Sequence, residues 1–129
     1  MIGSNAYDYI NVLSKTADAS WKRENVLTNN IANVDTPNYK RQDIDFESVL
    51  NRELGRSKYV TLDAKVADLH MNHLVANTYT DHSSFSYRLD GNNVDIDNEE
   101  VELASEQLRY MGLTDSISQE ISRLKSVMN

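Results

Sequence analysis

Apolar residues recur every three or four positions through the first 34 residues of the chain. They are Tyr7, Ile10, Leu13, Ala17, Trp21, Leu27, Ile31 and Val34. This spacing is typical of one face of an α-helix, so it predicts an N-terminal helix over about residues 4–34. Pro37 ends that helix near Asn33, because proline fixes its own φ and restricts the preceding residue, Thr36, to extended geometry.

The C-terminal part of the chain carries a second helical pattern, in which two rows of apolar residues run side by side. The first row comprises Leu103, Tyr110, Ile117 and Leu124, which repeat every seven residues, and is widened by Leu113, Ile121, Val127 and Met128. The second row comprises Val101, Ala104, Leu108 and Met111. We expect a helix over residues 98–128, capped by Asp97 or Asn98. Two rows allow a helix to pack against more than one neighbour, which favours a multi-chain bundle over a two-helix hairpin.

The polar middle of the chain, residues 35–97, predicts only short elements. Ile44 and Phe46 alternate with acidic residues, and Phe46 then begins a short helix that would end with Gly55 as its C-cap. Tyr59-Val60 is strand-like. These signals predict a small, irregular middle between two long helices.

A β-hairpin is expected around Asp90-Gly91-Asn92-Asn93, since these residue types accept the positive φ of tight turns. Its two arms would be Phe85, Tyr87 and Leu89 on one side and Val94 and Ile96 on the other. The chain then divides into an N-terminal assembly helix (1–34), a middle with a turn, a short helix and a hairpin (35–97), and a C-terminal assembly helix (98–129). We therefore predict a mainly α fold, in which the terminal helices pack as a coiled-coil-like pair within a multi-subunit helical assembly.

Composition removes several function classes. A chain of 129 residues with 40% apolar content forms one modest domain, and its net charge of -7 argues against nucleic-acid binding. The one basic cluster, Lys40-Arg41, is interpreted as a solvated turn. The N-terminal segment MIGSNAYDYINVLSK lacks the features of a cleavable secretory signal, and no apolar run approaches the roughly 20 residues of a membrane span. Export would need a route other than general secretion.

No pattern in the sequence indicates a catalytic, cofactor or metal site. The chain has no cysteine, and its three histidines, His70, His73 and His82, lack the spacing of a zinc site. The acidic run at residues 90–97 has glycine in the wrong place for a calcium-binding EF-hand, and a turn followed by a helix cap explains the same residues. We therefore predict a non-enzymatic protein without cofactors.

Asparagines are concentrated where the first helix should end. Asn29, Asn30 and Asn33 are poor helix-interior residues, because their side chains compete for backbone hydrogen bonds. Either they face water at a frayed helix end, or their amides bond to the backbone of adjacent subunits and fix the register of the helices. Asn38, after Pro37, lies where a type II turn needs positive φ.

The segment LTNNIANVDTPNYKRQDIDFE at residues 27–47 resembles the signature of bacterial flagellar rod and hook proteins. Members share an Asn-Asn-x-Ala-Asn core followed by Thr, Pro or Gly, and an aromatic residue; this chain has Asn38 where Gly is usual. The DIDFE continuation, and DGNNVDIDNE at residues 90–99, narrow the resemblance to subunits of the proximal rod.

The resemblance implies a structural subunit of the flagellar basal body in the cell envelope, exported by the flagellar type III apparatus. Its partners would be copies of itself, other rod proteins, and membrane-ring and export-gate components at the rod base. The expected subunit interface comprises Ile10, Leu13, Ala17, Trp21, Leu27, Asn29, Asn30, Ile31, Asn33, Leu103, Leu108, Tyr110, Leu113, Ile117, Ile121 and Leu124, with Thr36, Pro37, Asn38 and Tyr39 as the turn motif. Two alternatives stay open: another type of rod protein with the same asparagine motif, and a cytosolic helical adaptor or chaperone.

Overall fold

Two long helices and a small middle region make up the structure. This computed structural model describes residues 2–82 and 88–128 of the chain. The elements are α1 (Ile2–Ala32), β1 (Gln42–Ile44), α2 (Phe46–Gly55), α3 (Leu62–Asp68), a 3-10 turn (Met71–His73), β2 (Thr78–Thr80) and α4 (Ile96–Met128). The predicted mainly α fold with long terminal helices and a small middle is confirmed.

Helices α1 and α4 pack against each other and run antiparallel. Close pairs order the contact along both helices: the Asn30 amide bonds to Glu99, and the Ser20 hydroxyl donates to the Glu106 carbonyl at 3.5 Å. Further toward the free end of α4, the ring centroids of Trp21 and Tyr110 lie 5.9 Å apart. The chain therefore folds back on itself with its two termini at one end of the helix pair.

A small apolar core lies beside the middle of α1. Buried Ala19, Ile44, Phe46 and Leu74 form it, and Val26, Leu50, Leu69, Met71 and Ala76 pack around it. The core is covered by the two-stranded antiparallel sheet, in which Gln42 pairs with Thr80 and Ile44 pairs with Thr78. This sheet attaches the middle of the chain to α1.

The hairpin predicted around residues 90–93 is not present as expected. Its first arm, at Phe85 and Tyr87, lies outside the described residues, and its second arm is not a strand. Val94 is buried in an extended connection, and Ile96 is the first residue of α4. The alternation of Val94 and Ile96 was wrongly interpreted as a strand. A buried residue that lies two positions before the first apolar residue of a helix gives the same spacing.

Three boundaries also differ from the predictions. Helix α4 begins two residues earlier, since Asp95, not Asp97 or Asn98, accepts from the main-chain nitrogen of Asn98 at 3.4 Å. Helix α2 ends at Gly55 without a left-handed glycine cap. Tyr59-Val60 forms no strand and leads into Thr61, whose hydroxyl caps α3. In each case a local hydrogen bond decides the boundary.

The molecule exposes more surface than its mass requires. Its accessible area is 8485 Å², whereas a folded monomer of 14.7 kDa exposes about 6,900 Å². The excess follows from the long helix pair, since a pair of helices has no second layer to cover its outer faces.

Candidate subunit interface

The side chain of Asn30 fixes the start of the sheet to the end of α1. Its amide donates to the carbonyl of Gln42 at 2.7 Å and accepts from the Gln42 nitrogen at 3.0 Å, as the backbone of a neighbouring strand would. The amide also donates to Glu99 at 3.0 Å and accepts from the Tyr39 hydroxyl at 3.0 Å. These four bonds use the full capacity of the amide, and Asn30 is completely buried.

The other asparagines of the motif are also bonded within the chain. The Asn29 amide donates to the Tyr39 hydroxyl at 3.2 Å, and the Asn33 amide donates to the Asn29 carbonyl at 2.8 Å. The hydroxyl of Thr36 donates to the Asn33 side-chain oxygen at 3.0 Å. Two interpretations were open for these amides, solvent or the backbone of adjacent subunits; here they bond within the chain, because it turns back over the end of α1 within ten residues.

The turn after Pro37 has the predicted backbone. Asn38 is the one non-glycine residue with positive φ among the described residues, at 62°. Its main-chain nitrogen donates to the Asp90 carbonyl at 2.6 Å, which joins the turn to the loop before α4. Gly91 in that loop has a φ of 77°, and a Cβ there would lie 2.6 Å from the Asn38 side-chain oxygen. Only glycine fits this close approach without a shift.

Asn92, which sequence reasoning treated as a turn residue, binds the turn that follows α1. Its buried amide nitrogen lies 2.9 Å from the carbonyl of Asn33, 3.0 Å from that of Val34 and 2.8 Å from that of Thr36. These carbonyls also accept from the main-chain nitrogens of Thr36 and Tyr39 and from the Arg88 guanidinium. Asn92 therefore joins the loop before α4 to a turn that is already hydrogen-bonded.

Arg41 contradicts its interpretation as part of a solvated turn. Its side chain is largely buried and contacts Glu99 at 2.5 Å, Asp81 at 2.8 Å and Asp43 at 3.0 Å. Lys40 also has a partner, the carbonyl of Gly91. Burial alone would lower the pKa of Arg41, but hydrogen bonds to these carboxylates raise it.

Arg23 extends these contacts into an ion cluster. The cluster comprises Arg23, Arg41, Asp43, Asp81, Glu99, Glu102 and Glu106. Its guanidinium binds both carboxylate oxygens of Asp43, at 2.7 and 3.2 Å, and also reaches Glu106 at 2.9 Å and Glu102 at 3.0 Å. The hydrogen bond to Asp43 is the largest cause of a raised Arg23 pKa. Burial raises the pKa of Asp43, but hydrogen bonds from Arg23, the Ile44 main chain and Arg41 together outweigh it, so the net pKa is lowered. The cluster joins α1, β1 and α4.

Sequence reasoning missed this cluster, although a signal for it was present. Glu99, Glu102 and Glu106 follow the spacing of one helical face and lie beside the apolar row that begins at Leu103. Carboxylates on a packing face need cations, because an unpaired buried charge is costly. Arg23 and Arg41 were the available cations.

The structure divides the expected interface residues into three groups. Ala17, Leu27 and Asn30 are buried within the chain. Half-buried residues include Ile10, Leu13, Ile31, Asn33, Tyr39, Leu103, Tyr110, Leu113, Ile117 and Leu124. The exposed residues are Trp21, Asn29, Thr36, Pro37, Asn38, Leu108 and Ile121. A partner chain can therefore contact the exposed residues directly and the half-buried residues through the atoms that they leave exposed.

The second apolar row of α4 is uncovered. Val101, Leu108 and Met111 are 63%, 69% and 61% exposed, and Ala104 between them is exposed as well. Among the described residues of α4, the only buried ones are Glu99 and Glu106. The helix is therefore held to its own chain through charges and half-buried apolar contacts, while one whole apolar row faces outward.

The described residues do not assemble a metal centre. No group of three potential ligands is close enough among residues 2–82 and 88–128. The rings of His70 and His73 lie 5.2 Å apart, and His73 contacts the buried carboxylate of Glu53 at 3.2 Å. Within the same ranges, no helix has the length and apolar character to cross a membrane.

Comparison with known proteins gives one consistent result. A family model described as flagella basal body rod protein matches residues 10–40, which include most of α1 and its motif turn. The flagellar basal body rod protein FlgB of Bacillus subtilis (strain 168) is 37% identical over 110 residues, covering 82% of this chain and 81% of that protein. FlgB of Escherichia coli (strain K12) is 33% identical over 114 residues, covering 83% of each chain.

FlgB of Salmonella typhimurium is also similar, with 37% identity over 116 residues, or 84% of this chain and 81% of that protein. These relatives confirm the resemblance seen in residues 27–47 and 90–99. In the structure both motifs lie at the junction between α1 and α4. The chain belongs to the FlgB family of flagellar basal body rod proteins.

Proposed function

We propose that this chain is a non-enzymatic structural subunit of the proximal rod, which transmits motor torque and lines the export channel. The observation that carries the proposal is the uncovered row on α4, in which Val101, Leu108 and Met111 are mostly exposed. Contiguous apolar surface of this kind marks a protein contact. A mechanical element needs such contacts on more than one face, because each subunit must bind neighbours on several sides.

The proposed assembly proceeds through the terminal helices. One side of α4 is occupied by α1, so the row at residues 101–111 is available to another chain. A contact between two different surfaces of identical chains extends into a helical array unless its rotation closes a ring. Burying the row between chains would offset the entropy that the terminal helices lose when they become ordered.

The proposed partners are copies of this chain, other rod proteins, and the membrane-ring and export-gate components at the rod base. The chain would reach the cell envelope through the flagellar type III apparatus. The ion cluster suits such a route, because a fold held by a small apolar core and charge pairs is marginally stable and can unfold for export. Nucleic acid is not among the expected partners of a chain with net charge -7.

Electron microscopy of envelopes from a clean deletion strain tests this proposal. We expect membrane rings without rods or hooks, and rods and hooks restored by the wild-type chain supplied in trans. Complete flagella in the deletion strain would remove the proximal rod assignment.

A FlgC-type rod protein is the nearest alternative, and a cytosolic adaptor or chaperone is the alternative from another class. The adaptor would be a stable antiparallel hairpin, consistent with the packing of α1 on α4. Hydrogen exchange of the purified chain separates the two classes. A rod subunit should show rapid exchange in the outer turns of both helices, whereas an adaptor should show protection that extends to the helix ends.

A further inference from the structure

A groove lies beside the ion cluster, between α1, α4 and the start of α2. Its volume is about 570 Å³. The apolar lining comes from Ala19, Ile44, Phe46, Leu50 and Leu113. The space therefore suits apolar side chains from one face of a helix more than it suits a small polar molecule, because its floor continues the apolar core of the chain.

The rim of the groove is predominantly acidic. Five carboxylates line it, from Asp43, Asp45, Glu47, Glu102 and Glu106, against the two guanidinium groups of Arg23 and Arg109. Arg23 is already engaged by three of these carboxylates. Glu47, by contrast, is an exposed side chain in the first turn of α2. An occupant with positive charge beside apolar residues is favoured at this edge.

The last two turns of α4 have that chemistry. Residues 121–128 contain Arg123 and Lys125 and no acidic residue, and because Arg123 pairs with Glu120 at 2.9 Å, the positive charge of the segment comes mainly from Lys125. Among their apolar side chains, Val127 is 59% exposed and Met128 is 71% exposed. This segment is therefore a short cationic helix end whose apolar side chains have little cover from their own chain.

We infer that residues 121–128 of one copy of this chain dock in the groove of a neighbouring copy. The inference rests on the proposed rod function and names one of its contacts. The segment does not reach its own groove, because Ser126 lies about 20 Å beyond the groove residue Leu113 along the same straight helix. The contact joins two different surfaces of identical chains, so it adds copies head to tail unless its rotation closes a ring.

Disulfide trapping in cells tests the contact, and the absence of native cysteine makes it clean. Two differently tagged copies, one Glu47→Cys and one Ser126→Cys, are expressed together in the deletion strain and oxidised briefly. Both positions are exposed, so neither substitution disturbs the core. A disulfide requires Cα atoms about 4.4–6.8 Å apart, which only docking between chains provides.

The matched control replaces Glu47→Cys with Lys58→Cys, an exposed position that does not line the groove. We expect the 47–126 adduct to exceed the 58–126 adduct by about tenfold or more, because docked groups have a high effective concentration. Equal yields in swimming cells would overturn the groove contact and leave the rod function standing. Complete flagella in the deletion strain would instead overturn the function on which the inference rests.

A charge exchange supplies a second test that does not depend on cysteine. Lys125→Glu should reduce swimming, because it places a carboxylate against the acidic rim, and adding Glu47→Lys in the same chain should restore much of it. Failure of Glu47→Lys to rescue, with both variant chains folded and exported, would contradict the pairing of these two surfaces.

Discussion

The side-chain amide of Asn92 lies 2.8 Å from the main-chain carbonyl of Thr36, a residue 56 positions earlier in the sequence. The same amide nitrogen reaches the carbonyls of Asn33 and Val34. One buried side chain therefore joins the turn after α1 to the loop from which α4 starts. The rod motif and the segment before the last helix act as one junction.

Asn92→Ala should destabilise the isolated chain by about 1–2 kcal/mol, because it removes a buried amide that joins the turn after α1 to the loop before α4. Urea unfolding followed by circular dichroism measures the change. Asn72→Ala, at an exposed position of the 3-10 turn, is the matched control and should stay within about 0.5 kcal/mol of wild type. Equal stability of both variants would contradict the role of Asn92.

The close approach of Asn38 and Gly91 predicts a coupled pair of substitutions. Gly91→Ala should be destabilising, since φ is 77° and the new Cβ would lie 2.6 Å from the Asn38 side-chain oxygen. Asn38→Gly alone should be tolerated, because glycine readily adopts the φ of 62° found there.

The double variant should recover part of the Gly91→Ala loss, because Asn38→Gly removes the clashing atom while the strained φ at residue 91 persists. A double-mutant cycle by urea unfolding should therefore give a coupling of about 0.5–1 kcal/mol. Strict additivity would show that the two side chains do not meet.

Acid should weaken the ion cluster in a defined pH window. The pKa of Asp43 is lowered: burial opposes the shift, and hydrogen bonds from Arg23, the Ile44 main chain and Arg41 together outweigh it. An unfolded aspartate has a pKa of about 3.9, so the contribution of Asp43 is complete above about pH 4 and is lost as pH falls through the lowered folded value. Urea midpoints between pH 6 and pH 2.5 measure this loss.

Arg23→Met should move the loss to higher pH, because Asp43 would keep only Arg41 as a cation. It should also lower stability at pH 7, since Glu106 is buried and Arg23 is its ion-pair partner. Arg109→Met, at an exposed arginine outside the cluster, is the control and should keep the wild-type pH profile. Identical profiles for both variants would refute the linkage.

The exposed row on α4 predicts that a charged substitution there prevents assembly and leaves the folding of the monomer unchanged. Leu108→Asp should leave the stability of the monomer within about 0.5 kcal/mol, because Leu108 is 69% exposed. It should nevertheless abolish swimming, since a charge would then enter a dry contact between chains. Gln107→Asp, at the adjacent exposed position, should swim normally.

Leu27→Asp is the complementary variant, in which the charge enters the interior of the chain and not its surface. Leu27 is completely buried within the chain, so its substitution should unfold the monomer itself and not only prevent assembly. Normal swimming of the Leu108→Asp strain would remove the proposed role of the α4 row, whatever the behaviour of Leu27→Asp.

Periodicity was sufficient to predict the two long helices and the turn at Asn38. Helix spacing and Pro37 are local signals, and the positive φ at residue 38 follows from the residues on either side. The motif was also sufficient to predict the family, and its residues are bonded in this chain through contacts such as that between Asn30 and Gln42. These features need no knowledge of distant contacts.

The junction could not be predicted, because its partners are far apart in sequence. The local sequence around Asn92 indicates only a turn residue, because the carbonyls that it binds lie in the turn after α1. The local sequence around Arg41 indicates a solvated cation, because its partners Glu99 and Asp81 are distant in sequence. The strand at Thr78–Thr80 is exposed and short, so its sequence carries no alternation to detect. Long-range polar contacts, and not the apolar pattern, decide this part of the fold.

Cryo-electron microscopy of isolated basal bodies from the wild-type strain would show which chain covers the outer row of α4. We expect this chain to lie in the proximal rod, with a neighbouring chain against Val101, Ala104, Leu108 and Met111. A rod in which this row faces solvent or the channel, with no chain against it, would contradict assembly through the α4 surface.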